Sequence, residues 1–252
     1  MKIKPPEPKR WIHPTLLVDM DFFCYRAAQA AEDELEFSSD LTVIVGDHLR
    51  GRRIVRQSLK DFEERFESND FILFWTDTKN FRKDIDPTYK GNRTKRKPAG
   101  YLKLKRWCMD TWKSVMMPGL EADDALGIAA TKGDISNFVL ISPDKDLEQI
   151  PCRIFNLKNE FTQTPEEAEF KLYFQCLTGD SVDGFSGAPG IGPKRATAVL
   201  SNCEGDYWRA VVDTFEKCGL SEADALRNLR LARILQVQDW DAKKQQPILF
   251  TP

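Results

Sequence analysis

Glu121, Asp123 and Asp124 place three carboxylates within four positions, just after a Pro118-Gly119 break. They open an alanine-rich run (Ala122, Ala125, Leu126, Ile128, Ala129, Ala130) whose apolar residues recur three and four apart, the spacing of a helix. Acids suit a helix N-terminus, where they offset the macrodipole and accept from free N–H groups, and two would meet that need. A third is repelled by its neighbours unless a cation sits among them, and oxygen ligands suit magnesium or manganese. An ideal helix turns about 100° per residue, so Glu121 and Asp124 share a face that Asp123 does not. Either the helix begins after Glu121, or one acid acts through water.

More carboxylates stand at the ends of other elements. The apolar run Thr15-Leu16-Leu17-Val18 ends on Asp19-Met20-Asp21, Phe71 to Trp75 is followed by Asp77, and Phe138 to Ile141 is followed by Ser142-Pro143-Asp144-Lys145-Asp146. These read as buried strands, with Cys152 to Asn156 as a further one. In open parallel α/β sheets ligands gather outside the carboxyl ends of strands, which makes Asp19 and its neighbour Asp21 site candidates. The last pair, Asp180 and Asp183, lies in the turn Thr178 to Gly184, after a helix that starts at Thr164-Pro165 and runs through Leu177. Even without Asp21, nine acids exceed the needs of one metal. Two divalent ions about 4 Å apart can activate a water and hold the leaving oxygen of an in-line displacement, and phosphodiester hydrolysis is the natural product.

Between Lys79 and Lys113 the composition turns basic: Arg82, Lys83, Lys90, Arg93, Lys95, Arg96, Lys97, Lys103, Lys105 and Arg106 are interleaved with Phe81, Tyr89, Tyr101, Trp107 and Trp112. Cations with aromatics, set between two acid-tipped elements, suggest a surface that tracks single-stranded or frayed nucleic acid, although such a run is also what a solvated face looks like. Further on, Gly190-Ile191-Gly192-Pro193-Lys194-Arg195 precedes a helix from Ala196 to Leu200. Its glycines allow backbone N–H groups to point at a phosphate, with the helix N-terminus and Lys194 adding positive potential. An amphipathic helix over about Val43 to Phe66 and another from Ser221 to Gln238 complete the reading.

The totals exclude several classes. At 252 residues, with 37 Lys+Arg against 39 Asp+Glu, the net charge of -2 leaves any nucleic-acid affinity to local placement. Six cysteines without a C-x-x-C pair and two histidines offer no zinc pattern and read as reduced thiols. No apolar stretch approaches the roughly 20 residues of a membrane span, and the Lys/Pro-rich start has no signal-peptide core, so a cytoplasmic protein without membrane contact is expected.

Over Thr15 to Leu235 the chain resembles the flap-endonuclease-type 5′ nucleases, most of all the short 5′→3′ exonucleases of tailed phages. The matching motifs are Leu17-Val18-Asp19, Asp77, Tyr89-Lys90-Gly91-Asn92-Arg93, Glu121-Ala122-Asp123-Asp124, Ser142-Pro143-Asp144-Lys145-Asp146, Gly179-Asp180-Ser181-Val182-Asp183 and Gly190-Ile191-Gly192-Pro193-Lys194-Arg195. The departures are Gly184, where many relatives carry Asn, and the extra Asp21. The resemblance implies an α/β fold with a mainly parallel sheet flanked by helices, and a helical lobe carrying a helix-hairpin-helix. It implies a tail over residues 1–11, a nuclease domain over 12–163 with a basic arch at 79–117, and a DNA-binding lobe over 164–252. Asp19, Asp77, Glu121, Asp123, Asp124, Asp144, Asp146, Asp180 and Asp183 would form a site for two Mg2+ or Mn2+ ions, with Lys90 and Arg93 engaging the scissile phosphate. Tyr89, Lys90, Arg93, Lys95, Arg96, Gly190, Gly192, Lys194 and Arg195 would contact DNA, and the hairpin would hold K+. The implied activity is metal-dependent hydrolysis of DNA from 5′ ends in phage replication, primer removal or genome degradation. The implied substrate is a duplex end, a flap or an RNA-DNA primer junction, cut by a monomer in the host cytoplasm beside replication proteins.

Two rivals make distinct demands. A haloacid-dehalogenase-like phosphatase would use Asp19-Met20-Asp21 and Thr76, with Asp19 as nucleophile, but needs a strand before Gly179-Asp180, where the sequence predicts a helix. A non-catalytic nucleic-acid-binding relative would keep the strip and the hairpin without reason to keep every acid.

Overall fold

The computed structural model describes residues 13–252; the expected tail at 1–11 lies outside them. β1 (Thr15–Asp19) is the buried strand its β-branched and leucine-rich sequence predicts, and α1 (Met20–Ala30) follows it without a linker. β2 (Glu32–Ser38) and β3 (Leu41–Gly46) then form an exposed antiparallel hairpin. This corrects the expectation that the helix begins near Val43: α2 (His48–Phe66) starts where the Asp47 carboxylate caps the N–H groups of Leu49 and Arg50. The run Leu41-Thr42-Val43-Ile44-Val45 is β-branched, and its backbone pairs with Glu32 to Ser38 before any helix can extend into it.

β4 (Phe71–Trp75), α3 (Arg82–Ile85), α4 (Tyr101–Thr111), β5 (Ser114–Met116), α5 (Ala122–Thr131), β6 (Phe138–Ile141), β7 (Arg153–Phe155) and β8 (Glu160–Thr162) complete the sheet region. The sheet order is β5-β4-β1-β6-β7-β8, parallel throughout except for the β7-β8 edge. Successive strands step outward first to one side of β1 and then to the other, so the strand order reverses between β1 and β6, where the C-terminal ends leave a crevice. The period-two alternation of strand side chains feeds two cores. Leu16, Val18, Leu73 and Trp75 pack under α1, α2 and α4, whereas Leu17, Ile72, Phe74 and Leu140 pack against Ala122, Ala125 and Leu126 of α5.

The rest is helical: α6 (Pro165–Thr178), the short pair β9 (Gly179–Asp180) and β10 (Phe185–Ser186), α7 (Pro193–Ser201), α8 (Tyr207–Lys217) and α9 (Glu222–Ala232), followed by the small pair β11 (Trp240–Asp241) and β12 (Gln246–Pro247). α6 begins at the predicted Thr164 cap, its hydroxyl accepting from Glu167 N–H while the Glu167 carboxylate accepts from Thr164 N–H. Their apolar faces enclose a third core, with Leu172, Cys176, Leu200, Val211, Phe215 and Leu229 at its centre.

α9 stops at Ala232 rather than continuing to Gln238, because the next backbone donors are used elsewhere. Ile234 N–H donates to Gln149, Leu235 N–H donates to Asp124, and Arg233 pairs with Asp239. Gly127 of α5 lets that extended segment approach, since a Cβ there would lie 2.3 Å from the Leu235 carbonyl oxygen.

Candidate active site

β1 delivers Asp19 to the crevice, 7% exposed, and the Ser142 hydroxyl beyond the end of β6 donates to its Oδ2 at 2.9 Å. Asp144 caps the following turn by accepting from Asp146 N–H, so the Ser142 to Asp146 segment turns back over the strand ends. From the other side, α5 begins at Ala122. Glu121 is therefore its N-cap, with extended backbone, and the helical phase that would set Asp123 apart from Glu121 does not apply. Of the two alternatives left by the sequence, the helix start after Glu121 is the one realised.

Like charges dominate this place. Burial, reinforced by Asp21 and Asp144 against the Ser142 hydrogen bond, pushes the Asp19 carboxyl up to about 7. Burial next to Asp19 and Asp144 pushes Asp123 well above the ordinary carboxylate range. Burial and Asp144 push Asp146 up to about 6, against a hydrogen bond from Gln175. Asp146 Oδ1 is buried without a hydrogen-bond partner among the described residues. Four carboxylates that repel one another, one with an orphaned oxygen, suit hard divalent cations. Among the described residues no three His, Cys, Asp or Glu side chains close a ready-made cage.

Glu121, Asp183 and Lys90 face a pocket of about 220 Å3 also lined by Arg93, Asp123, Asp144, Asp146, Gln175 and Asp180. Lys90 donates to Glu121 and lies 3.4 Å from Asp183, while Arg93 donates to Asp183 at 2.9 Å. Although burial opposes it, Lys90 and Arg82 hold Glu121 at about 2. Lys90 itself has φ 55, a left-handed backbone uncommon outside glycine, and its N–H donates to the Asp183 carbonyl. The turn that aims Lys90 is thus tied to the turn that carries Asp183. Asp180 Oδ1 accepts from Val182 and Asp183 N–H, which shapes that second turn.

Several expected site residues stand elsewhere. Asp124 is fully buried: Arg82 pairs with both of its oxygens at 2.7 and 2.8 Å, and Leu235 and Glu121 N–H donate to them. Asp77 accepts from Gly119 and Thr78 N–H, which lowers its pKa and anchors the loop into Glu121. Neither lines the pocket, because backbone and guanidinium donors occupy their oxygens. Asp21 turns away as well, accepting from Thr76 N–H and the Tyr101 hydroxyl.

The basic strip divides the same way. Phe81, Tyr89 and Tyr101 are buried, so the aromatics make core rather than a stacking platform. Tyr89, expected at DNA, instead places its hydroxyl 3.0 Å from Glu121 and 2.8 Å from Asp183. Arg96 grips Glu32 with both terminal nitrogens, while Lys95 is exposed in the same loop. Trp107 lies under the guanidinium of Arg52 at 4.4 Å. Arg82 is 1% exposed and donates to Asp124, Glu121 and the carbonyls of Leu231 and Arg233. The sequence offered no sign of this, since a buried arginine and a solvated one look alike in a basic run. Ser142 and Gln175 were likewise unmarked as partners of the acids.

Beyond the C-terminal end of α6, where Ala188 N–H donates to the Leu177 carbonyl, Gly190 has φ 75 and Gly192 caps α7 with extended backbone. Arg195 donates to the Gly190 carbonyl and stiffens the turn, while Lys194 is exposed. The hairpin borders an open groove of about 680 Å3.

A family model described as 5′-3′ exonuclease, N-terminal resolvase-like domain, matches residues 14–174. The chain is 28% identical to the exodeoxyribonuclease of Enterobacteria phage T3, covering 94% of this chain and 92% of that protein. It is 28% identical to the exonuclease of Escherichia phage T7, covering 94% and 93%. Its fold matches the T5 D15 protein co-crystallized with metal ions, with a TM-score of 0.65 at 18% identity over 87% of this chain and 88% of that one.

Proposed function

This chain belongs to the 5′-3′ exonuclease family, and from that premise we propose that it hydrolyses phosphodiester bonds of DNA at 5′ ends and flaps with two divalent ions, Mg2+ or Mn2+. It is a 5′-3′ exonuclease of the flap-nuclease type, and neither the phosphatase nor the binding-only reading is favoured. The phosphatase reading also lacks its strand, since α6 leads directly into Gly179-Asp180.

The observation that carries the proposal is the repulsive carboxylate set at the strand crossover, with Asp146 Oδ1 buried and unpartnered. Asp19, Asp123, Asp144 and Asp146 are the ligands it favours, with Glu121, Asp180 and Asp183 in the lining of the same pocket as Asp123, Asp144 and Asp146. When bound, such ions supply charge neutralisation and a water of lowered pKa. The chain's own contribution is positional. Ser142 orients Asp19, and Asp183 and Glu121 hold Lys90 and Arg93 at the mouth, where their cations can engage a scissile phosphate. Asp77 and Asp124 support the site by fixing the two ends of the segment that presents Glu121. The exposed Lys194, the backbone from Gly190 to Gly192 and Arg195 would hold duplex backbone, with K+ as a candidate ion there, and Lys95 would extend the contact. A monomer acting in the cytoplasm during phage replication or primer removal is the biological setting that fits.

The test is a gel assay of end-labelled duplex and 5′-flap DNA in Mg2+, Mn2+ and EDTA, with the wild type and Asp146→Asn. Metal-dependent release of short 5′ products by the wild type is expected. Asp146→Asn should bind DNA but not cut it. Unchanged turnover of Asp146→Asn in saturating Mg2+ would sink the assignment.

A further inference from the structure

Asp146 is reached by a chain of two buried amides whose polarity can be read from one backbone group. Ile234 N–H donates to Gln149 Oε1 at 3.1 Å. A backbone N–H cannot accept, so this atom of Gln149 must be its oxygen, which settles an amide orientation that distance alone leaves open. Gln149 Nε2 is then directed at the Ala232 carbonyl, 2.9 Å away, and at Gln175 Oε1, 2.7 Å away. Gln175 in turn must present Nε2, which donates to Asp146 Oδ2 at 2.8 Å. Gln149 is 3% and Gln175 6% exposed, so water does not compete freely for either amide.

We propose that Gln175 is a positioning residue that holds Asp146 by Oδ2 and leaves Oδ1 for a metal ion, and that Gln149 acts through it by fixing which end of the Gln175 amide faces the acid. The inference rests on the metal-site reading above and extends it to two residues that touch no substrate. The relay explains why Oδ1 alone of the two oxygens is buried and unpartnered. A quarter turn of the carboxylate would take Oδ2 away from Gln175 and lose the direction in which Oδ1 points. Gln149 belongs to the turn that follows Asp146, but the backbone donor that orients it comes just after α9 and Gln175 stands on α6, so the helical part that carries the hairpin also aims a ligand of the acidic site. Second-layer partners of this kind set metal affinity because they fix ligand orientation and basicity.

The experiment measures Mn2+ binding to the full chain without DNA, by loss of the free-ion electron paramagnetic resonance signal. The variants are Asp146→Asn, Gln175→Met, Gln149→Met and the double Gln149→Met/Gln175→Met, with thermal unfolding in EDTA recorded for each. Gln175→Met should weaken Mn2+ binding on the order of 10-fold to 100-fold. Gln149→Met should weaken it too, although it does not touch Asp146, and should add nothing in the Gln175→Met background, because its effect runs through that amide. A merely structural role would lower the unfolding temperature in EDTA and leave the Mn2+ midpoint in place, which would overturn the proposal. So would a Gln149→Met effect that persists in full without Gln175. If Gln149→Met does not fold, Gln175→Met alone decides. Mn2+ binding unaltered by Asp146→Asn would fail the metal-site reading itself, whereas loss with Asp146→Asn and none with Gln175→Met fails only the relay.

Discussion

Replacing Arg82 by methionine isolates the ion pair that joins α3, α5 and the end of α9. Arg82 is 1% and Asp124 0% exposed, and the two share hydrogen bonds of 2.7 and 2.8 Å. Asp124 and Glu121 raise the arginine's pKa despite its burial, so the guanidinium stays charged at any ordinary pH. Arg82→Met leaves the Asp124 carboxylate buried without its cation, a loss of about 3–5 kcal/mol. It also removes the donors that Leu231 and Arg233 carbonyls accept from, at about 1–3 kcal/mol for each group left unsatisfied. Allowing for partial relaxation, the loss is on the order of 5 kcal/mol, a large share of the roughly 5–15 kcal/mol available to a folded domain. Adding Asp124→Asn should then recover about 1–2 kcal/mol, since the amide oxygen still accepts from Leu235 N–H while the unpaired charge is gone. Urea unfolding near pH 7 in EDTA, followed by circular dichroism, measures both steps. A loss below about 1 kcal/mol for Arg82→Met, the scale of an exposed pair, or further destabilisation on adding Asp124→Asn, would refute the account of a buried, charged and saturated pair.

Lys90→Met should lower the single-turnover cleavage rate on the order of 10²-fold to 10³-fold, the scale of removing one group that stabilises developing charge; a wild-type rate would show that the lysine only neutralises Glu121 and Asp183. Metal-free stability should fall as pH rises from about 4 to 7. Asp19 holds its proton up to about 7 when folded, against an ordinary aspartate value of 3.8, so its contribution of roughly 4 kcal/mol is complete below 3.8 and lost as pH passes 7. Asp146 and Asp123 act with the same sign, while Glu121, held at about 2, gives stability that is complete above 4.5 and lost only as pH falls toward 2. Urea unfolding in EDTA across that range reads the slope, and stability rising between pH 4 and 7 would contradict the burial argument. Lys194→Ala should reduce the slope of log affinity for duplex DNA against log salt by about one; an unchanged slope in a filter-binding series would remove Lys194 from the DNA surface.

Where one-dimensional pattern and physical requirement coincide, the chain is legible without coordinates. β1, β4 and β6 are short apolar runs that can only be buried strands, and the acids that end or follow them must lie at one edge once the sheet is parallel. The Thr164-Pro165 start of α6 and the Gly190 to Lys194 turn are equally local, because capping and positive φ depend on neighbours in sequence. So the acidic edge, the family and the reaction class follow from residue order. What each charged group is spent on does not, since that depends on donors brought from far along the chain. Asp124 and Asp77 carry the same motif signature as Asp123 and Asp19, yet Arg82, Leu235 and Gly119 occupy their oxygens. The buried aromatics of the basic strip face inward toward three different cores: Phe81 toward Leu120 and Leu235, Tyr89 toward the helical core, and Tyr101 toward α1. The β2-β3 hairpin arises because a β-branched run met a strand partner in place of the helix that follows it. Burial and partner choice are properties of the packed chain, and only the tertiary structure could sort the acids that repel one another from those already satisfied.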